Sequence, residues 1–250
     1  MFKIVLNGCC GKMGHSVIEC VKQRRDCEIV AGVDKACKDG ISFPVYDNLF
    51  DVSEKFDVII DFSHPSVIPS LLEFCVSKKI PAVIATTGLS DALVENIKTA
   101  SRSVSIFFSA NMSLCVNLLT ELAKKAASVL GDYDIEIVEK HHNQKIDAPS
   151  GTALMIADAI NAQLDNRFEY VYDRNSKTEK RTKNEIGIHA IRGGNITGQH
   201  DIIFAGLDEV LTLSHAATSK AVFASGSINA AKFLLKKENG LFNMGDLINA

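Results

Sequence analysis

Between Glu139 and Thr152 the chain reads EKHHNQKIDAPSGT, gathering two histidines, a lysine, an aspartate and a Ser-Gly-Thr turn. These residue types offer a proton donor that titrates near neutrality, a cation and the free N–H groups of a helix start. Residues Asp134 to Glu139 alternate polar and apolar, as a half-buried strand does. After Thr152 the run ALMIADAINAQL carries apolar residues at helical spacing. The cluster, with His141, His142 and Lys145, is therefore expected on a connection leaving a strand and entering a helix. Pro149-Ser150-Gly151-Thr152 reads as the helix start, with Ser150 as cap and the N–H groups of Gly151 and Thr152 at the positive end of the dipole. Such an end seats a carboxylate or phosphate, so a proton donor and an anion clamp would share one loop. Two readings compete with this one. A polar strand-to-helix connection can be only a solvated loop. Adjacent histidines can also signal metal, but the HxxxH or Cys/His spacing of a metal site is missing.

A second stretch with chemical meaning opens the chain. Phe2 to Asn7 is a short apolar strand that runs into GCCGKMG, with glycines at 8, 11 and 14. A helix with Met13, Val17, Ile18 and Val21 on one side follows. The strand Cys27 to Val33 then ends at Asp34, twenty residues past Gly14. This order of strand, glycine loop, helix, strand and acid is the dinucleotide-binding unit. The glycines allow a tight turn and a close approach to a pyrophosphate at the helix end. Asp34 is placed to accept from a ribose 2′-hydroxyl, and Lys35 beside it could meet a 2′-phosphate, so the pair permits NADH or NADPH. The competing readings are a tight turn without a ligand and a solvated lysine.

Further elements must hold these two stretches in place. Strands at Val58–Asp61, Ala82–Ala85 and Ser105–Phe108 alternate with helices, which predicts a parallel, doubly wound sheet of Rossmann type. Ligands of such sheets lie beyond the carboxyl ends of the strands. At those ends stand Gly8, Asp34, Phe62-Ser63, Thr86-Thr87 and Ser109-Ala110-Asn111. A long helix is expected from Asn111-Met112 to Leu130. Beyond it, alternating strands with glycine turns predict an α+β domain with an antiparallel or mixed sheet. The expected division is a dinucleotide domain over 1–111, to which 221–250 returns, and a substrate and oligomerisation domain over 112–220.

The 250 residues are 46% hydrophobic and 23% charged, with a net charge of -3. These are ordinary globular values and give no electrostatic case for nucleic acid. The basic run Arg174 to Lys183 is expected to be a surface loop. The amino terminus begins directly as a strand, without the regions of a leader peptide. No apolar run approaches the roughly 18 residues that span a bilayer. Seven scattered cysteines with no CxxC suggest reduced, cytosolic usage and apolar filler roles.

Together GCCGKMG, VIIDFSHP, ATTG, FSANMS and, above all, EKHHNQKIDAPSGTA resemble the 4-hydroxy-tetrahydrodipicolinate reductase (dihydrodipicolinate reductase) family of bacterial lysine and diaminopimelate biosynthesis. GIHAIRGGNITGQHDIIFAG and LSHAATSKAVFASG extend the resemblance to nearly the whole chain. The resemblance implies that Gly8, Cys9, Cys10, Gly11, Lys12 and Met13 line the cofactor pyrophosphate and that Asp34 and Lys35 meet the adenosine ribose. Ala85, Thr86 and Thr87, with Ser109, Ala110, Asn111 and Met112, would border the nicotinamide. His141 would be the proton donor/acceptor and Lys145 a proton donor, while His142, Gly151 and Thr152 would hold substrate. It further implies NADH- or NADPH-dependent reduction of a cyclic dicarboxylate with release of water, by a cytoplasmic homotetramer built through the second domain's sheet. The residues themselves, by the missing ligand spacing, the lack of a long apolar run and the net charge, give the expectation of no metal, membrane or nucleic-acid partner.

The chain departs from the family pattern at several positions. Ala85 stands for the first glycine of GTTG, Cys115 for the glycine after the NxS motif, and Lys220 for an arginine able to bind in bidentate fashion. The loop from Asp173 to Asn184 lacks the glycines the family often has there. Rival classes fit less well. A cysteine-dependent semialdehyde dehydrogenase would have to use Cys115, one turn inside an apolar helix. A short-chain dehydrogenase needs a tyrosine followed four residues later by lysine. A redox-sensing nucleotide-binding protein would leave residues 141–152 unexplained.

Overall fold

The computed structural model describes residues 1–35, 40–176 and 178–250. The chain forms two compact units, Met1–Leu114 with Lys220–Ala250, and Cys115–Ser219.

The first unit is built on β1 (Phe2–Asn7), α1 (Lys12–Lys22), β2 (Cys27–Val33), β3 (Val45–Tyr46), β4 (Val58–Asp61), α2 (Ile68–Lys78), β5 (Ala82–Ile84), α3 (Asp91–Ser101) and β6 (Ser105–Phe108). Its seven-stranded sheet has the order β12-β6-β5-β4-β1-β2-β3, where β12 is Gly240–Phe242, and its pairings are parallel. The strands are apolar on both faces because helices cover both. Ile4, Leu6, Ile60 and Phe107 face α1 and α6 (Ala221–Leu234). Val5, Ile59 and Ile84 face α2 and α3. The order of the sheet reverses between β1 and β4, whose last residues Asn7 and Asp61 stand in register. A ligand crevice is expected outside the carboxyl ends of the strands at this switch point.

The second unit contains α4, β7 (Asp134–His141), α5 (Gly151–Gln163), β8 (Glu169–Val171), β9 (Glu185–Arg192), β10 (Gly198–Ala205) and β11 (Val210–Ala217). Helix α4 is counted from Leu114 to Val129. The sheet order is β11-β10-β7-β9-β8. It is mixed: β10 runs antiparallel to β7 and β11, while β7, β8 and β9 run parallel. One face packs Ile135, Ile137, Ile186, Ile188 and Ile202 against Leu119 and Ala123 of α4 and Ile156 and Ile160 of α5.

Three local differences from the sequence-based expectations have physical causes. Helix α4 starts at Leu114 rather than Asn111, because the Asn111 side chain accepts the Ser113 N–H at 2.8 Å and holds that turn out of the helix. Strand β7 runs on to His141, so only His142 of the two histidines lies on the connection. Arg174 and Arg181 of the basic run are anchored to Glu136, Glu185 and Asp134. Lys177 lies outside the described residues.

Candidate active site

At the switch point, β1 hands over to α1 through Gly8-Cys9-Cys10-Gly11. Gly8 has φ +79, and a Cβ there would collide with the Phe62 carbonyl oxygen, so only glycine fits the turn. A Cβ at Gly14 would collide with the Gly8 carbonyl, which fixes how closely α1 sits on the turn. Gly11 precedes α1 and no side chain caps the helix, so its first N–H groups are left for an anion. The Cys10 N–H donates to Asp34 Oδ2 at 3.0 Å, which brings the carboxylate at the end of β2 beside the turn. A cavity of about 540 Å³ opens here, with Gly8, Gly11, Asp34 and Lys35 in its lining together with Ser63 and His64. The turn, the uncapped helix and the acid fit the pyrophosphate and ribose of a dinucleotide.

The other candidate cofactor residues take distinct positions. The Cys9 side chain is buried, and burial, aided by the Asp34 charge, pushes its thiol up to about 11. Only its backbone belongs to the turn. Cys10 carries a disulfide, contrary to the expectation of uniformly reduced cysteines; the pairing of thiols is not legible in their spacing. Cys9, Cys10 and Asp34 lie close enough together to suggest a metal. A protonated thiol and a disulfide sulfur are poor ligands, however. Lys12 is exposed and Met13 half-buried at the start of α1. Ala85 and Thr86 are buried just past β5, while Thr87 is exposed. Past β6, Ser109 Oγ donates to the Asn111 carbonyl and Ala110 is exposed. Met112 is 3% exposed within the core of this unit.

In the second unit the cluster centres on Glu139, which is wholly buried. Its Oε2 accepts from His141 Nδ1 at 2.6 Å. Arg192 grips both oxygens at 2.7 Å, and the Ser150 N–H donates to Oε1 at 3.0 Å. Burial pushes the Glu139 carboxyl up, but hydrogen bonds from Arg192 and His141 and the His141 charge outweigh it, leaving the group below the usual carboxylate range. Burial lowers His141; Glu139 opposes this, while Lys145 and Arg192 add to the lowering.

The Nδ1 bond to Glu139 leaves Nε2 on the far side of the His141 ring. Gly198 stands beside it, where a Cβ would come within 3.0 Å of Nε2. The His200 ring meets His141 edge-on at 5.3 Å. Burial and the neighbouring His141 depress His200 to about 4, so it is uncharged. His200 Nε2 lies 3.0 Å from Ser150 Oγ, which caps α5 by accepting the Ala153 N–H.

The rest of the stretch surrounds this buried core. Lys145 Nζ bonds both oxygens of Asp147, at 2.7 and 2.8 Å. His142 is half-buried at the turn that Lys145 closes through its N–H to the His142 carbonyl. Gly151 is exposed with no atom within 4 Å of a built Cβ, and Thr152 follows it in the first turn of α5. The structure thus brings His141, the start of α5 and the Lys145 turn together around Glu139. Sequence reasoning missed Glu139, Arg192 and His200 as site residues. The signal for Glu139 was its inward place in the β7 alternation, where a carboxylate needs a buried partner.

Residues 2–112 match the family described as dihydrodipicolinate reductase, N-terminus, and residues 115–248 match its C-terminal counterpart. The chain is 54% identical over 248 residues to the 4-hydroxy-tetrahydrodipicolinate reductase of Caldanaerobacter subterraneus subsp. tengcongensis, covering 99% of this chain and 98% of that protein. It is 48% identical over 251 residues to the Clostridium tetani protein of the same name, covering 100% of this chain and 98% of the other. Among solved structures, a dipicolinate-bound dihydrodipicolinate reductase from Paenisporosarcina superposes with a TM-score of 0.83 at 25% identity, covering 97% of each chain. The glycine turn, the parallel sheet and both family matches agree: the chain belongs to the dihydrodipicolinate reductase family, and it is an NAD(P)H-dependent oxidoreductase.

Proposed function

We propose that the protein reduces 4-hydroxy-tetrahydrodipicolinate to tetrahydrodipicolinate with release of water, in lysine and diaminopimelate biosynthesis, and that His141 supplies the proton. The 2.6 Å bond between Glu139 and His141 Nδ1 carries this reading, because it occupies Nδ1 and leaves Nε2 to exchange a proton. The nicotinamide, when bound, supplies a hydride. Loss of the 4-hydroxyl with a neighbouring ring proton, as water, leaves a conjugated imine; hydride addition to it builds electron density on the substrate, and a placed acid must neutralise it with a proton. The dicarboxylate is held by His142, by Lys145 in exchange for Asp147, and by the N–H groups and hydroxyl at Gly151 and Thr152. That the Paenisporosarcina relative holds dipicolinate, itself a dicarboxylate, supports this assignment.

In the first unit, Gly8 to Met13 hold the pyrophosphate and Asp34 and Lys35 the adenosine ribose. Ala85 to Thr87 and Ser109 to Met112 border the nicotinamide. A cytoplasmic homotetramer completes the proposal. Its support is the sheet of the second unit, which leaves Ile191, Val210 and Leu211 exposed. Light scattering of the purified protein tests the tetramer, and a monomer at micromolar concentration would refute it. The activity is tested by offering the product of dihydrodipicolinate synthase with NADH or NADPH and following cofactor oxidation. No oxidation with either would remove the assigned reaction.

A further inference from the structure

Asp61, the last residue of β4, is completely buried at the switch point of the parallel sheet. Its Oδ1 accepts from Asn7 Nδ2 at 2.7 Å and from Ser63 Oγ at 2.6 Å. Its Oδ2 accepts from Thr86 Oγ1 at 2.7 Å. The backbone repeats the pattern: the Phe62 N–H donates to the Asn7 carbonyl and the Ala85 N–H to the Asp61 carbonyl, each at 2.9 Å. Among the described residues no lysine or arginine pairs with it. Burying a carboxylate without a cation is costly, and an apolar side chain would fill the space without that penalty. A group kept under those conditions calls for an account of what its three bonds hold.

The partners come from three stretches of the chain. Asn7 precedes Gly8 and the pyrophosphate turn. Ser63 lines the cavity beside that turn. Thr86 lies in the Ala85–Thr87 segment assigned to the nicotinamide.

We infer that Asp61 is the positioning residue of the cofactor site, a single rigid acceptor that fixes the pyrophosphate turn and the nicotinamide segment relative to each other. Its two oxygens serve different segments, Oδ1 Asn7 and Ser63 beside the pyrophosphate turn and Oδ2 Thr86 in the nicotinamide segment. This inference rests on the assignment of Ala85 to Thr87 to the nicotinamide. It adds a residue that touches no cofactor atom but sets the distance between two segments that do.

This separation of the two oxygens gives the test. NADH and ADP-ribose, which lacks the nicotinamide, are titrated against the full-length protein and its variants, with thermal melting measured in parallel. Thr86→Val removes the Oδ2 arm and is expected to weaken NADH binding about tenfold or more while leaving ADP-ribose within about twofold. Asn7→Ala removes an Oδ1 arm and is expected to weaken both ligands alike. Asp61→Asn can still accept from Asn7 and Ser63 and donate to the Thr86 hydroxyl, so it should recover most of the NADH affinity that Asp61→Ala loses. If Asp61→Ala does not fold, Thr86→Val and Asn7→Ala still decide the matter. Lowered melting temperatures with unchanged affinities, or equal losses for both ligands in Thr86→Val, would overturn the inference and leave Asp61 as part of the core. A wild-type protein that binds ADP-ribose and NADH equally well would instead overturn the nicotinamide assignment, and the inference with it.

Discussion

Glu139 and His141 face the same way from one strand, two residues apart, and their side chains meet at 2.6 Å in a buried pair. The period of two along a β-strand makes this contact: both residues occupy inward positions of β7, in line with Ile135 and Ile137. Arg192, paired with His141 in register on β9, closes on the same carboxylate. His141, the proposed proton donor, is therefore fixed by a sheet and not by a loop.

From that pairing follows a pH dependence. His141 must carry its proton to donate it, so activity should fall as pH rises through its pKa. Burial lowers that pKa and Glu139 raises it. The falling limb of kcat/KM, which reports the free enzyme, should lie on the acid side of the limb of kcat, because a bound dianion favours the imidazolium. Glu139→Gln should move the kcat/KM limb further to the acid side. A limb that stays put in Glu139→Gln would mean that another group donates the proton.

Asp34 and Lys35 stand together at the end of β2, beside the glycine turn proposed to hold the pyrophosphate. Both NADH and NADPH should be oxidised. Asp34→Ala should weaken NADH more than NADPH, and Lys35→Ala the reverse, each by about tenfold on the scale of one charge-assisted hydrogen bond. Steady-state KM values for both cofactors check this. Equal losses for the two cofactors in both variants would show that neither residue reads the 2′ position.

Much of this architecture was legible in the sequence, because it rests on periodicity and on glycines with a steric role. Two-sided apolar strands such as VIID announce a parallel sheet, and Gly8 occupies a turn where no side chain fits. What stayed hidden depends on partners far apart in the chain. Glu139 looks like the polar member of an alternating strand until Arg192 and Ser150 arrive from 53 and 11 residues away. Asp61 looks like the polar end of an apolar strand until Asn7 and Thr86 reach it. Strands β8 and β12, three residues each, are too short to carry a period. Asn111 delays α4 through a side-chain bond that helical periodicity does not register.

Carboxylates of the second unit also predict how its stability responds to acid. Hydrogen bonds from Arg174 lead in holding Glu185 down to about 2, and Glu136, despite burial, is held low by His189 and Arg181. A carboxyl whose folded pKa lies below its unfolded value contributes stability above the unfolded value and loses it as pH falls through the folded one. Stability should therefore decline from about pH 4.5, the ordinary glutamate value, toward about 2 for Glu185. Arg181→Ala should reduce stability at neutral pH by about 1–3 kcal/mol and flatten this decline. Urea unfolding at several pH values measures both effects, and an unaltered slope in the variant would show that the Arg181 contacts do not persist in solution.

Cys115 is the thiol a covalent mechanism would have to use. It is an exposed free thiol in the first turn of α4. Among the described residues no bond links it to a base that could make it a nucleophile. Cys115→Ser should therefore keep most activity. Loss of turnover in a folded Cys115→Ser protein would reopen covalent catalysis.

The substitutions that separate proton donor from clamp fall on His141, Thr152 and Lys145. His141→Gln retains a side chain able to bond Glu139 but carries no transferable proton, so it should mainly lower kcat, by about 10²–10⁴-fold, with a modest change in substrate KM. Thr152→Val removes a contact that the bound substrate and the transition state share, so it should mainly raise KM, by about ten- to a hundredfold. Lys145→Ala should harm both parameters, since the ammonium is assigned both to the anion and to proton donation. It also frees Asp147, which adds an unneutralised carboxylate where the substrate's own is proposed to bind. NADH affinity, read by fluorescence titration, should be unchanged in all three, because the glycine turn belongs to the other unit. Should His141→Gln lose NADH binding while turnover per bound cofactor stays normal, the histidine would be a cofactor clamp, and the proton would have to come from Lys145.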